Sequence, residues 1–304
     1  MTLLPRHDGV LQKKPLEAIS VLAPFSALII SVTLLVLFFI RYYILEGFLI
    51  KWYYQNIYTD LNEVNRRGFI NHHISAATKI LILVLAAYPF ICLSFGSSTF
   101  HTPFAHGSIV TMGDVMIVAA QILIAMYMTE LIYRSKLSPV AVAHHTGTIL
   151  IGQSAIVISL RLAREPDADI EFILCTVWGA FDLIAEFFPH VAIILYRIYP
   201  HRHHFLSRVF LFSAITTACG TLFETIVTMW LFGSLWDRWQ IAFKVVTPIL
   251  HVAFSIAQMH GSMVFWRMYK RQKQILREEQ EKQDIEGILM PFVEPPRPPK
   301  AFCA

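Results

Sequence analysis

The sequence predicts an all-α, multi-pass membrane protein, with one leading helix followed by a six-helix bundle around a central chamber. Three observations carry that reading. Of the 304 residues, 56% are hydrophobic and only 15% charged, with a mean hydropathy of +0.55. Soluble domains carry about 25% charged residues, so this chain has too few to cover a water-facing surface. Seven segments are apolar for long enough to cross a bilayer, which takes roughly 20 residues of helix. The polar residues inside those segments fall on single helix faces.

The first segment, 21–40, is uncharged and not followed by a small-residue cleavage site, so it reads as a retained helix and not as a signal peptide. The others are 74–95, 113–133, 139–160, 170–188, 208–232 and 240–266. The fifth is expected to run on to Tyr199 with a kink at Pro189. Lys244 and Pro248 interrupt the seventh without shortening it. Loops are short, which leaves no room for a second folded domain, and no internal repeat is present. Only 41–73 is longer, and its "RYYILEGFLIKWYYQ" reads as an aromatic and basic interfacial stretch. The expected organisation is a terminal segment 1–19, a leading helix 20–42, a six-helix domain 71–270 and a charged, proline-rich tail 271–304, whose last part has the composition of a disordered segment.

Charge in the loops predicts orientation. With seven crossings, Arg6, Lys13, Lys14, Arg161, Arg164 and Arg238 fall on one side. The other side holds more than twice as many Lys and Arg, among them Arg41, Lys51, Arg134, Lys136, Arg197 and Arg202. The N-terminus is therefore expected in the lumen and the C-terminus in the cytosol. The formal net charge of +4 sits mainly on the cytosolic side, where it suits anionic lipid headgroups. No basic face stands free of the membrane, so nucleic acid is not an expected partner. Cys92, Cys175 and Cys219 lie within helices as small hydrophobes, and Cys303 is not placed for prenylation.

Ionisable groups inside membrane helices are costly and mark functional sites by default. Here they cluster. The third segment carries Gln121, Tyr127 and Glu130, the fourth His144, His145 and Thr148, and the fifth Asp182, Glu186 and His190. Thr221, Glu224, Thr225 and Thr228 follow in the sixth, and His251, Ser255, Gln258, His260 and Ser262 in the seventh. Asp182, Glu186 and His190 are four apart and form one stripe, as do His144 with Thr148 and Glu224 with Thr228. Turning every stripe inward produces a shared chamber, with His144 in reach of Asp182 or Glu186. Thr221, Thr225, Thr228, Ser255, Ser262 and Gln121 read as interhelical glue, and His251 and His260 read either way. Two adjacent histidines point about 100° apart, so one interhelical contact cannot occupy both. A metal is not expected. "HTPFAH" (His101, His106) and "HRHH" (His201, His203, His204) fall on opposite sides of the bilayer, and zinc-type Cys/His spacing is absent. "HRHH" and Asn71–His73 read as interfacial loop.

"HHTGT", residues 144–148, resembles the H-H-x-x-T core of the Lag motif in ceramide synthases and the wider TLC-domain family. In that family an H-D-x-x-D segment follows in the next helix, with a glutamate four residues on. Here "WGAFDLIAE", residues 178–186, holds that place. Asp182 matches the second aspartate and Glu186 the glutamate. Trp178 and Gly179 stand where the family has His and Asp, which puts one expected carboxylate in doubt. The likeness is clearest over 114–190 and extends over 71–270. It implies an endoplasmic-reticulum protein whose six-helix ring binds a membrane lipid or fatty acyl chain, with acyl-CoA as co-substrate, no bound cofactor, and a possible homodimer. The catalytic set it implies is His144, His145, Asp182 and Glu186. Thr148, Glu130, Tyr127, Glu224, His251 and Gln258 are the expected substrate-binding residues. An imidazole can serve as general base for an amine or as a transient acyl carrier, and an aspartate fixes its tautomer. Two other functions stay open: a non-catalytic lipid sensor or cargo adaptor on the same fold, and a small membrane terpenoid cyclase or isomerase.

Overall fold

The structure is a computed structural model that describes residues 19–160 and 168–289. The expected terminal segment up to residue 18, Arg161 and Arg164, and the proline-rich end of the tail with Cys303 lie outside the described residues. Among the described residues the chain is all-helical, with seven helices long and apolar enough to cross a membrane, and it is an integral membrane protein of the multi-pass, all-α class. The helices are α1 (Ala23–Thr59), α2 (Glu63–Ser94), α3 (Met112–Tyr133), α4 (Pro139–Ser159), α5 (Ala168–Ile198), α6 (His203–Ser234) and α7 (Ile241–Leu289).

Local chemistry sets the helix starts. Asn62 caps α2 by accepting from the Asn65 N–H at 3.0 Å. Thr111 and Asp114 form a reciprocal capping box on α3, and Asp114 also accepts from the Ser20 hydroxyl at 2.6 Å. That contact brings Ile19 over the helix start, where only a glycine fits: a Cβ on Gly113 would lie 1.8 Å from the Ile19 carbonyl oxygen. Ser138 caps α4 by accepting from the Ala141 N–H, with Pro139 in the first turn. Since α4 begins there, its paired histidines arrive less than two turns into the helix.

Three sequence expectations are corrected. The stretch 41–73 is not a long connection. Helix α1 runs on to Thr59 through a π-helical segment Ile40–Leu49 and a break at Gln55 (φ 41°), and α2 begins at Glu63. Tyr, Trp, Lys and Arg mark the interface level of a membrane helix as readily as they mark a loop. Arg41 lies 3.2 Å from the centroid of the Tyr133 ring and so packs this extension against α3. Asn71–His73 is likewise no loop. These residues lie within α2, with Asn71 and His72 buried, and His72 Nδ1 sits 2.8 Å from His190 Nδ1 on α5. Of "HRHH", His203 and His204 belong to the first turn of α6, and His203 Nδ1 lies 2.7 Å from Gln272 Oε1 on α7.

Contacts between helices close a ring in the order α2, α3, α4, α7, α6, α5 and back to α2, while α1 packs outside against α3. The outward faces are apolar: Val84, Ile132, Leu222 and Trp230 are all exposed. Lipid tails are as apolar as those side chains, so the ring is held by close packing and polar contacts inside. Gly220 lets α6 approach Ala185 on α5. The Thr217 hydroxyl donates to the Ala185 carbonyl at 3.1 Å and the Ser262 hydroxyl to the Ala214 carbonyl at 2.8 Å. Gln153 Nε2 donates to Gln121 Oε1 at 2.9 Å.

Candidate functional site

The polar stripes meet around His144. On α5, Asp182 and Glu186 are one turn apart on one face. His144 Nε2 lies 3.2 Å from Asp182 Oδ1 and 3.2 Å from Glu186 Oε1. Neither approach has the alignment of a hydrogen bond, so the ring stands within ion-pair distance of both carboxylates. The remaining oxygens are held from behind. The Tyr127 hydroxyl donates to Asp182 Oδ2 and lies 3.0 Å from Glu186 Oε2. Lys79 Nζ donates to Glu186 Oε2 at 2.7 Å. Each carboxylate thus has one anchored oxygen and one turned to the imidazole.

Lys79 is the residue that the sequence reading missed. Its side chain is 0% exposed in the middle of α2, so its charge is tolerable only because Glu186 is there. The local signal was present: a lysine inside "SAATKILILVL" breaks an otherwise apolar run and belongs with the intramembrane ionisable groups that default to a site.

His145 points elsewhere, as adjacent residues on a helix must. It stacks on the Tyr127 ring, with centroids 4.4 Å apart. Its Nε2 lies 3.7 Å from Glu130 Oε2, and Glu130 is paired with Arg134 at 2.5 Å. The Nδ1 atoms of both histidines are buried without a hydrogen-bond partner. Phe254 on α7 closes over His144, with ring centroids 5.0 Å apart. Gly147 permits that approach, since a Cβ there would come within 2.9 Å of the Phe254 ring.

Two cavities flank the centre. One is apolar, about 140 Å³, walled by Ile82, Met116, Phe172, Trp178 and Phe254 and ending at Asp182 and Glu224. An apolar cavity of similar size holds a molecule such as benzene. The other is polar, about 570 Å³, and carries His144, His145, Glu130 and Glu186 in its wall with Arg134, Lys136 and Arg197 among its cations. Gln258 lines both. Its Nε2 donates to Glu224 Oε2 at 2.8 Å and lies 3.5 Å from Asp182 Oδ1, while its Oε1 accepts from Thr221 at 2.7 Å.

The structure brings most of the sequence-selected residues together. His144, His145, Asp182, Glu186, Glu130, Glu224 and Gln258 line one cavity or the other. Tyr127 stands behind the carboxylates, and Thr148 lines the apolar cavity while donating to the His144 carbonyl at 3.0 Å. His251 stands apart. It accepts from Trp178 Nε1 at 3.1 Å, its Nε2 lies 3.1 Å from Thr225 Oγ1, and neither of the two cavities includes it. Gly179 lines the apolar cavity, and a Cβ there would meet only Leu123 at an ordinary 3.6 Å. His144, His145 and Glu186 each turn a ligand atom to within 4.8 Å of the others, a set that a metal ion could use. The loop histidines considered from sequence take no part in it. Lys79 on the other oxygen of Glu186 places a fixed positive charge beside that set, which opposes a second cation by direct repulsion.

Chemically, the arrangement holds an imidazole between two carboxylates at the wall of a polar cavity, with an apolar cavity reaching the same carboxylate from the other side. It can move a proton at the polar end of an apolar molecule, and burial keeps water from competing. No protein-family model matches the chain, and neither a curated protein nor a solved structure matches it significantly.

Proposed function

We propose that this is a lipid protein of the TLC-domain type, resident in the endoplasmic reticulum, that binds an acyl chain in its helical ring and transfers it to an acceptor. One observation supports the reading above the others: His144 lies 3.2 Å from both Asp182 and Glu186, where the polar and apolar cavities come together. In this mechanism the anionic donor, an acyl-CoA, enters the polar cavity past Arg134, Lys136 and Arg197. The acceptor's nitrogen attacks the thioester carbonyl while His144 takes its proton, the C–S bond breaks as the amide forms, and the departing CoA thiolate recovers that proton from His144; Asp182 stabilises the imidazolium meanwhile, and Lys79 pairs with Glu186. His145, anchored on Tyr127 and Glu130, faces the donor side. The proposed orientation has the N-terminus in the lumen and the tail in the cytosol, which opens the polar cavity to the cytosol.

The test is turnover of acyl-CoA with a lipid amine by the full chain in proteoliposomes. Wild type should form product, and His144→Ala and Asp182→Asn should each lose about 10²-fold or more, the usual worth of a general base. Histidine variants that match wild type would remove the catalytic assignment. A second reading, a non-catalytic lipid sensor or adaptor, is favoured by Gly179, which leaves the family's first carboxylate position empty of an acid. No turnover with any acceptor, together with loss of bound lipid in the same variants, would establish that reading instead.

A further inference from the structure

Where α5 turns into α6, the structure holds a third cleft that shares no wall residue with the two inner cavities. Helix α7 runs past the membrane surface here. Trp266 and Tyr269 pack together with ring centroids 5.3 Å apart, and such aromatics mark the headgroup level. From Arg267 onward the helix is crowded with charge. Its outer part is pinned to the turn before α6: His203 Nδ1 lies 2.7 Å from the buried Gln272 Oε1, and His203 Nε2 lies 3.8 Å from Glu279 Oε1. Beside that clamp is a cleft of about 550 Å³, with His201, Arg202, His204 and Arg208 on one side and Leu276 and Glu279 on the other. A volume of this order suits a small ligand. The charge in its wall is one-sided. Glu279 is the acid there, and His203 already attends it. Among the described residues, neither Arg202 nor Arg208 has a carboxylate within salt-bridge distance, and both are exposed.

The two arginines stand at different depths. The His203–Gln272 contact sets the level of the turn. Arg208 lies five residues further along α6 toward the membrane, which is about 7.5 Å at 1.5 Å per residue. That brings it near the level of Trp266, where a lipid's own phosphate sits. Arg202, His201 and His204 stay at the outer level. A guanidinium matches a phosphate with two parallel hydrogen bonds, so two levels of cation suit two phosphates. We propose that this cleft binds the headgroup of an anionic phospholipid carrying a second phosphate outside the first, as a phosphorylated inositol lipid does. Arg208 takes the phosphodiester at the membrane surface. Arg202, with His201 and His204, takes the outer phosphomonoester, which offers three strong acceptor oxygens and nearly two charges. A soluble inositol phosphate has the same chemistry. The lipid is the source assigned here because Arg208 lies at membrane level and the exposed Phe205 ring also lines the cleft. The site is independent of acyl transfer and of both inner cavities.

The experiment titrates the full chain, in neutral detergent, with dioctanoyl lipids that differ only in the headgroup: phosphatidylinositol phosphate, phosphatidylinositol, phosphatidylserine and phosphatidylcholine. Calorimetry measures each affinity. Wild type should bind the phosphorylated inositol lipid at least about tenfold tighter than phosphatidylinositol or phosphatidylserine, a difference of about 1.4 kcal/mol, and phosphatidylcholine weakest. Arg202→Gln should abolish the preference for the phosphorylated lipid and leave phosphatidylinositol unchanged. Arg208→Gln should weaken both inositol lipids by the same factor. Lys51→Gln, the same change of charge at the same end of the molecule but outside the cleft, should alter neither. Equal binding of the two inositol lipids by wild type overturns the inference and needs no variant. So does a Lys51→Gln loss as large as that of Arg202→Gln, which would make the attraction diffuse. Soluble inositol bisphosphate should bind at least about tenfold more weakly than the phosphorylated lipid. Equal affinity would assign the cleft to a free phosphate ester and overturn the lipid assignment.

Discussion

Two histidine clusters sit inside the same ring of helices and differ in everything except the imidazole. His251 is surrounded by neutral partners: Trp178 donates to it, Thr225 lies beside its other nitrogen, and the indole stacks on it with centroids 5.8 Å apart. Neither cavity reaches it. His144 faces two carboxylates, one of which is bound to a buried lysine, and its ring edges the polar cavity. Neutral hydrogen bonds between membrane helices are worth only about 0.6–2 kcal/mol, enough to hold a helix pair. A cluster of charges in the same medium is costly to assemble and marks a place where something is recognised or moved. Charge and access, not residue type, separate glue from site.

The largest expected difference is in rate. In the acyl-transfer assay His144→Ala should lower turnover by about 10²–10⁴-fold, while His251→Ala should leave it near wild type at matched expression. A His251→Ala protein as inactive as His144→Ala would erase the contrast.

The second effect is on stability. Lys79→Met leaves the half-buried Glu186 carboxylate, 23% exposed at the polar cavity, without its cation, a change for which the about 3–5 kcal/mol of a fully buried pair is the ceiling. Adding Glu186→Gln removes both members of the pair and should recover most of the loss. Thermal unfolding of the two purified variants checks this, and a double variant less stable than Lys79→Met would show that the pair is not the unit.

A smaller cost is expected at Gly147. The new methyl of Gly147→Ala would press on Phe254, and overpacking of this kind costs about 1–3 kcal/mol. Unfolding temperature is the measure, and Gly147→Ala combined with Phe254→Leu should restore it. No shift in the single variant would mean that the α4–α7 contact is looser than the geometry indicates.

The smallest effect belongs to the glue cluster itself. Thr225→Ala removes a hydroxyl beside His251 and should cost about 0.6 kcal/mol, at most about 2, with no change in lipid binding. A larger loss, or altered binding, would move the His251 cluster out of the glue class.

Much of the site can be read along the chain because helix periodicity is local. The four-residue spacing of Asp182 and Glu186 places both on one face whatever the helix packs against, and "HHTGT" at the start of a helix draws attention before any contact is known. Gln258 and Glu224 were legible for the same reason. Spacing within a helix does not say which neighbour a stripe meets, so His251, on the same stripe as Gln258 and about two turns before it, looked equivalent to it. Asn71–His73 looked like loop because the group that buries His72 is His190, more than a hundred residues on.

What the sequence determined by itself was the medium and the element list. Low charge and long apolar runs admit only helices that satisfy their own backbone inside lipid, and seven such helices are present among the described residues. Helix ends were less secure, because aromatic and basic residues extend a helix past the membrane surface as easily as they leave it. The tertiary structure alone decided rotation and pairing. Those are set by packing between helices and not by hydropathy. Packing placed Lys79 on Glu186, His144 between two carboxylates, and Glu224 against an apolar cavity.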